Sequence, residues 1–333
     1  MPLDKISWQH WRRQAVVAVI DNYFTELARA SHLLPQAHWH SNGIDVLRNI
    51  PYHNTGNRQH LLDIWRPNQS SGPLPIVMYI HGGGFRILSK DSHWLFALSF
   101  AKQGYLVFNI NYRLAPETPY PAAHEDAATA LRWIARNAAV FGGDTLQLIL
   151  AGESAGANLA LSLAVATSYH RPEPFARALF DAGVQPMAVL PACGLLQVSD
   201  PERFLRQSQA SPLIGDYLKT ISEDYLPQPS KESAKEEDSL PSLADPLLCL
   251  EQHQTPDRPL PAFFITSGGA DPVRDDSTRL ETALTRLGAD VEAVTYPGEY
   301  HVFQSYFWKR HARLYWQQTF DFLTSRRTKN VPL

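Results

Sequence analysis

The strongest chemical signal in this sequence is Gly152-Glu153-Ser154-Ala155-Gly156, set between an apolar run at 146–151 and an Ala/Leu-rich stretch reaching residue 166. A strand that reverses at once into a helix leaves no room for side chains two positions either side of the turn. Glycine there lets the chain bend and pushes Ser154 into an exposed position at the helix start. G-x-S-x-G alone is common; between a strand and a helix it reads as a nucleophile. A serine hydroxyl needs a base to take its proton, and the base needs a third group to orient it. Thirteen histidines are available, so position selects among them. His301 in YPGEYHVF follows the apolar run 291–296, and Asp271 in SGGADPVRDD follows the run 262–266. Both fall in loops at the carboxyl ends of predicted strands, where open α/β sheets bind ligands. Asp275 and Asp276 compete for the acid role, but they open a predicted helix over 276–287, and N-capping accounts for them. Glu299 lies two residues from His301 on one loop, a poor place from which to orient its ring. Apart from His81, the other histidines read as surface or packing residues.

The segment PIVMYIHGGGFRIL, residues 75–88, places three glycines at the end of an apolar run. Attack on an ester carbonyl puts negative charge on oxygen, and losing one preorganised N–H donor to that charge costs roughly 10²–10³ in rate. Glycines bring backbone N–H groups close with no Cβ in the way. A phosphate loop is the rival, but neither G-x-x-x-x-G-K-[ST] nor G-x-G-x-x-G is present after this run. Ala155, next to the serine, offers a further N–H. The residues leave open which two of Gly82, Gly83 and Gly84 donate.

The elements that must position these groups follow from periodicity. Short apolar runs at 75–80, 106–110, 146–151, 187–190, 262–266 and 291–296 predict strands apolar on both faces, as a helix-covered parallel sheet requires. Between them, 125–139 and 276–287 predict amphipathic helices, and 306–323 a third, rich in aromatics. The segments 47–53 and 59–65 alternate and predict an antiparallel start. The class is α/β with a mostly parallel sheet. Two regions break the alternation: residues 1 to about 45, helical in pattern, and residues 197 to about 242, polar and acidic at their end. With 44% hydrophobic and 19% charged residues, 333 residues suffice for one large domain with an appendage. A net charge of −3 gives no electrostatic case for nucleic acid. Cys193 and Cys249 form no CxxC pair and read as small buried hydrophobes. The apolar run 15–20 is too short to span a membrane and lacks the order of a signal peptide, so a cytoplasmic location is expected, without stable membrane association.

With these residues in place, the chain resembles the hormone-sensitive-lipase-like family of α/β-hydrolases, the bacterial carboxylesterases and their relatives. The matching stretches are HGGGF (81–85), NYRLAPE (111–117), FGGD (141–144), GESAGAN (152–158), DPVRDD (271–276) and His301, in the family's order. The resemblance implies an α/β-hydrolase fold with an eight-stranded sheet and a helical cap. The core would be 46–196 and 243–333, with the cap built from 1–45 and an insertion at 197–242. It implies a serine esterase acting on small carboxylic esters, with Ser154, Asp271 and His301 as triad and Gly83, Gly84 and Ala155 as oxyanion donors. His81 with Gly82 would steady the glycine loop, and Glu153, Arg113 and Asp144 would be structural. No cofactor and no metal is implied, and a homodimer is allowed. Glu153 stands where Asp is usual, Ala157 where a second glycine is common, and Val302 where glycine often follows the histidine. The same triad would serve an amidase or arylformamidase, and a lipase working at an interface is a further alternative. The plant gibberellin receptors resemble this family without its histidine, whereas His301 is present here.

Overall fold

The computed structural model describes residues 3–33, 43–207, 210–227, 241–252 and 254–329. Eight strands form one sheet: β1 (Ile44–Pro51), β2 (Leu61–Pro67), β3 (Leu74–Ile80), β4 (Leu106–Ile110), β5 (Gly143–Glu153), β6 (Ala188–Ala192), β7 (Ala262–Gly268) and β8 (Val291–Tyr296), in the order β1-β2-β4-β3-β5-β6-β7-β8. β1 and β2 pair antiparallel, as does β2 with β4; every pairing from β4 through β3 to β8 is parallel. This is the α/β-hydrolase architecture that the motifs imply, with the antiparallel start where alternation places it.

The helices are α1 (Leu3–Ser31), α2 (Trp94–Lys102), α3 (Ala122–Asn137), α4 (Ala155–Ser168), α5 (Pro174–Asp181), α6 (Arg203–Arg206), α7 (Pro212–Tyr225), α8 (Pro246–Glu251), α9 (Arg274–Arg286) and α10 (Arg310–Lys329). Successive strand residues point to opposite faces. Ile76, Met78 and Ile80 of β3 enter a core shared with α3, α4 and α9, while Val77 and Tyr79 enter a second core with α2 and α10. α4, buried along its whole length, packs under the centre of the sheet. The carboxyl ends of β3, β5, β6, β7 and β8 open onto one edge and deliver the glycine triplet, Ser154, Cys193, Asp271 and His301 in turn.

α1 packs on α7 through ion pairs Arg12–Asp216 and Arg13–Glu223, and its far end is tied to α2 by Trp94 Nε1 donating to Ser31 Oγ at 2.8 Å. The two segments that break the α/β alternation therefore lie side by side. Of the 197–242 stretch, α6 and α7 are described; 208–209 and the acidic run 228–240 lie outside the described residues, as do 34–42 of the N-terminal segment. Among the described residues no helix is long and apolar enough to cross a membrane.

Several boundaries differ from expectation: α10 runs Arg310–Lys329 where 306–323 is predicted, and β1 runs Ile44–Pro51 where 47–53 is predicted. β5 begins at Gly143, three residues early, because its first residues pair with Leu74 and Pro75 despite their polarity. α3 starts at Ala122 and gives way to a 3₁₀ turn at Ala138–Phe141. α9 starts at Arg274 with Val273 in the cap position, so Asp276 is not a cap. Its fully buried carboxylate pairs with Arg203 at 2.6 Å and accepts N–H bonds from Leu196 at 2.8 Å and Gln197 at 3.2 Å, tying α9 to α6.

Candidate active site

The β5–α4 turn is strained where its sequence predicts. Ser154 sits at φ +56°, ψ −118°, a region costly for any residue with a side chain. It is held there by its N–H donating to Ala192 O at 3.0 Å and by its carbonyl accepting from Leu195 N at 3.3 Å. A Cβ on Gly156 would lie 2.0 Å from Ile80 O, inside the backbone of β3, so only glycine lets α4 start this close to the sheet.

His301 and Asp271 reach this turn from the β8 and β7 loops. His301 Nε2 lies 3.0 Å from Ser154 Oγ, and His301 Nδ1 lies 3.0 and 2.9 Å from the two carboxylate oxygens of Asp271. A carboxylate only accepts, so the ring proton sits on Nδ1 and leaves the Nε2 lone pair facing the serine hydroxyl. Asp271 is itself oriented by the Val273 N–H at 2.9 Å. Burial disfavours the His301 imidazolium, but the charge and hydrogen bond of Asp271, with a smaller pull from Glu153, outweigh it and hold the ring above the ordinary histidine value. Val302 takes the left-handed conformation, φ +56°, where a β-branched side chain is unfavourable. The rival acids are engaged elsewhere: Glu299 pairs with Lys309 at 3.2 Å and His311 at 3.1 Å.

The glycine triplet divides its N–H groups. Gly82 N–H donates to Glu153, whose carboxylate also accepts from Tyr79 O–H and lies 2.8 Å from His93 Nε2. Gly83 and Gly84 N–H find no acceptor among the described residues. Gly83 adopts φ +111°, and its carbonyl accepts from Arg86 N at 3.0 Å and Ile87 N at 3.1 Å, closing the turn. His81 lies fully buried beneath, with Nδ1 2.8 Å from Gly82 O and its ring stacked 4.3 Å from Tyr112, whose hydroxyl donates to His81 O. Burial, then the neighbouring His93, pulls His81 down to about 3, so it stays neutral. Arg113 ties down Asp126 and Glu125, and Asp144 accepts from Leu146 N; neither approaches Ser154 in these contacts.

Cys193 is buried and free, as a small hydrophobe would be, but its position is not bland. It sits at φ +48° on the turn after β6, with its thiol sulfur and ligand atoms of Asp271 and His301 all within 4.8 Å of one another. Burial, then the Asp271 charge, raises the thiol well above its ordinary value. Among the described residues these three are the group near enough to share a cation. The Asp271–His301 contact is a hydrogen bond, and this geometry suits proton transfer. Sequence reasoning missed Cys193, Tyr79, His93 and Arg86; only Arg86, a long cation directly after HGGGF, carried a visible signal.

The alpha/beta hydrolase fold family matches residues 77–305 of the chain. Carboxylesterase NlhH of Mycobacterium tuberculosis is 30% identical over 261 residues, covering 78% of this chain and 72% of that protein. Hormone-sensitive lipase of Homo sapiens is 34% identical over 161 residues, covering 47% of this chain and 14% of that protein. The crystal structure of esterase LipW from Mycobacterium marinum superposes with a TM-score of 0.70 at 25% identity, covering 93% of this chain and 90% of that one.

Proposed function

Because the chain belongs to the hormone-sensitive-lipase-like family of α/β hydrolases, we propose that it hydrolyses small carboxylic esters, of short to medium chain length, by a serine mechanism. The observation that carries this is the unbroken line from Ser154 Oγ to His301 Nε2 at 3.0 Å and from Nδ1 to Asp271 at 2.9 Å.

In the proposed reaction Ser154 Oγ attacks the ester carbonyl while His301 Nε2 takes its proton. Asp271 stabilises the imidazolium and keeps the ring in place. The carbonyl oxygen, now anionic, accepts from Gly83 and Gly84, the two triplet residues whose N–H groups have no acceptor among the described residues, and from Ala155 at the start of α4. Gly82 is excluded because its N–H already serves Glu153. Collapse expels the alcohol, which takes the proton from His301. Water, deprotonated by the same imidazole, then attacks the acyl-enzyme and restores Ser154. Glu153 and His81 act by holding the loop. α1 with the α6–α7 segment forms the cap over this edge, with Ile221 of α7 packed against Gly84.

The test is covalent labelling. An organophosphate should add one adduct mass to the peptide holding Ser154, and Ser154→Ala should abolish turnover of p-nitrophenyl butyrate. Labelling elsewhere, or an active variant, refutes the reading.

A further inference from the structure

Three consecutive residues of the glycine turn each meet α7. A methyl group at Gly84 would lie 2.8 Å from Ile221 Cδ1. The Phe85 ring stacks on Tyr225 with centroids 3.8 Å apart and planes 8° from parallel. Arg86 Nε lies 2.7 Å from Asp224 Oδ2, and Arg86 Nη1 lies 3.3 Å from Asp21 Oδ2 of α1. Asp21 Oδ1 in turn accepts the Tyr217 hydroxyl of α7 at 3.0 Å. One guanidinium thus stands between carboxylates of two helices, its side chain only 13% exposed and theirs 20% and 27%. Burial raises the Asp21 carboxyl; Arg86 and Tyr217 pull it down, and Asp224 pushes it back up. Without the cation, two like charges would face each other across the α1–α7 seam.

The backbone of the same residue closes the turn: Arg86 N–H donates to Gly83 O. From this we propose that Arg86 is a positioning residue, bridging Asp21 of α1 and Asp224 of α7 so that docking of these helices sets the orientation of the Gly83 and Gly84 N–H groups. The inference rests on the serine-esterase reading above. Its physical content is that the turn takes part of its orientation from its outer side, beyond the Ala115 N–H donated to Phe85 O at 2.8 Å. Glu153 fixes Gly82 from beneath, whereas Gly84 and Phe85 meet α7 through packing alone. The Arg86 ion pairs are the charged contacts of the turn with the two helices.

The experiment uses the full chain as wild type, Arg86→Met, Arg86→Lys and Asp224→Asn. It measures kcat and KM for p-nitrophenyl butyrate, the rate of phosphonylation by a p-nitrophenyl phosphonate, and Tm. Donors that serve only the transition state act on kcat. Displacing them, without deleting them, should therefore lower kcat about 10-fold in Arg86→Met, less than the loss of a whole donor. KM should stay within about twofold, with phosphonylation slowed in proportion. Arg86→Lys, a point charge unable to span both carboxylates, should fall between, and Asp224→Asn should lose about threefold in kcat. Wild-type kcat in Arg86→Met, a loss confined to KM, or a fall in Tm with kcat intact overturns the proposal. If Arg86→Met does not fold, an unchanged kcat in Asp224→Asn overturns it alone. Wild type labelled away from Ser154 refutes the underlying reading instead, whatever the Arg86 variants do.

Discussion

Replacing Asp271 by Asn tests the acid's role through a detail of its hydrogen bonding. Val273 N–H donates to Oδ1 at 2.9 Å, while His301 Nδ1 lies 2.9 Å from Oδ2 and 3.0 Å from Oδ1. An asparagine carbonyl is therefore drawn to the Oδ1 position, and its NH₂ group falls opposite Nδ1. The NH₂ hydrogens then face an Nδ1–H, which favours the tautomer with its proton on Nε2, pointing at Ser154 Oγ, where the ring can no longer act as base. Flipping the amide restores the tautomer but sets NH₂ against the Val273 N–H, stranding a buried donor at about 1–3 kcal/mol. Either way the charge-assisted bond to the imidazolium is lost, about 1.5–3 kcal/mol more. The sum, about 2.5–6 kcal/mol, corresponds to a fall in kcat of roughly 10²–10⁴. Steady-state hydrolysis of p-nitrophenyl butyrate at neutral pH reads this directly, with KM little changed and Tm as the folding control. Asp275→Asn, on the first turn of α9, serves as the neutral comparison. A kcat within tenfold of wild type in Asp271→Asn would show that Asp271 does not set the tautomer of His301.

Other outcomes follow from the same contacts. Because His301 is held above its ordinary value of 6.5 and must be unprotonated to accept the serine proton, kcat/KM should rise with pH through one ionisation above 6.5. His81, held neutral by burial near 3, should add no second step, and a flat profile between pH 5 and 9 would refute the role of His301. Gly156→Ala drives a methyl group to 2.0 Å from Ile80 O and should cost about 3 kcal/mol, at the upper end of overpacking, visible as a lower urea midpoint. Glu153→Gln can still serve Gly82 and His93 with its one carbonyl and donate to Tyr79 Oη, but the Tyr79 hydroxyl proton loses its buried acceptor, which should cost about 1–3 kcal/mol in urea unfolding. An unchanged midpoint in either variant would refute the corresponding contact.

The three residues that the structure brings together are legible in the sequence because each is announced locally. Ser154 carries its flanking glycines, and Asp271 and His301 each follow an apolar run that predicts a strand. Strand positions are legible for the same reason: both faces are buried, so the runs are uniformly apolar. What is not legible depends on long-range partners. Asp276 looks like a helix cap because acids are common in first turns, but its carboxylate answers to Arg203, 73 residues away, and to the backbone of 196–197. Cys193 carries no spacing signal, since its place beside Asp271 arises only when β6 and β7 lie side by side. Arg86 directly follows HGGGF, but its partners come from α1 and α7, about 65 residues before it and well over 100 after it, and no local pattern names them.

The division of the glycine triplet explains why three glycines stand in series where two donors would serve. The first, Gly82, gives its N–H to Glu153, a buried carboxylate that also engages Tyr79 and His93 and so belongs to the β3–β5 framework. That bond fixes where the turn begins. The next two adopt positive φ, and their N–H groups have no acceptor among the described residues. A side chain at Gly82 would meet the Glu153 backbone and carboxylate, both at 2.8 Å, so the anchoring bond itself requires a glycine. The residue beside the nucleophile thus does double duty. Glu153 precedes Ser154 in the chain and also grips the start of the glycine turn, so one short stretch, 153–155, sets the nucleophile, one proposed oxyanion donor and the anchor for the other two. A change at Glu153 should therefore disturb the oxyanion donors and the serine together, whereas a change at Arg86 should disturb only the donors. The expected result is a larger fall in kcat for Glu153→Gln than for Arg86→Met, with Ser154 phosphonylation falling in step in both, and equal losses would refute the difference.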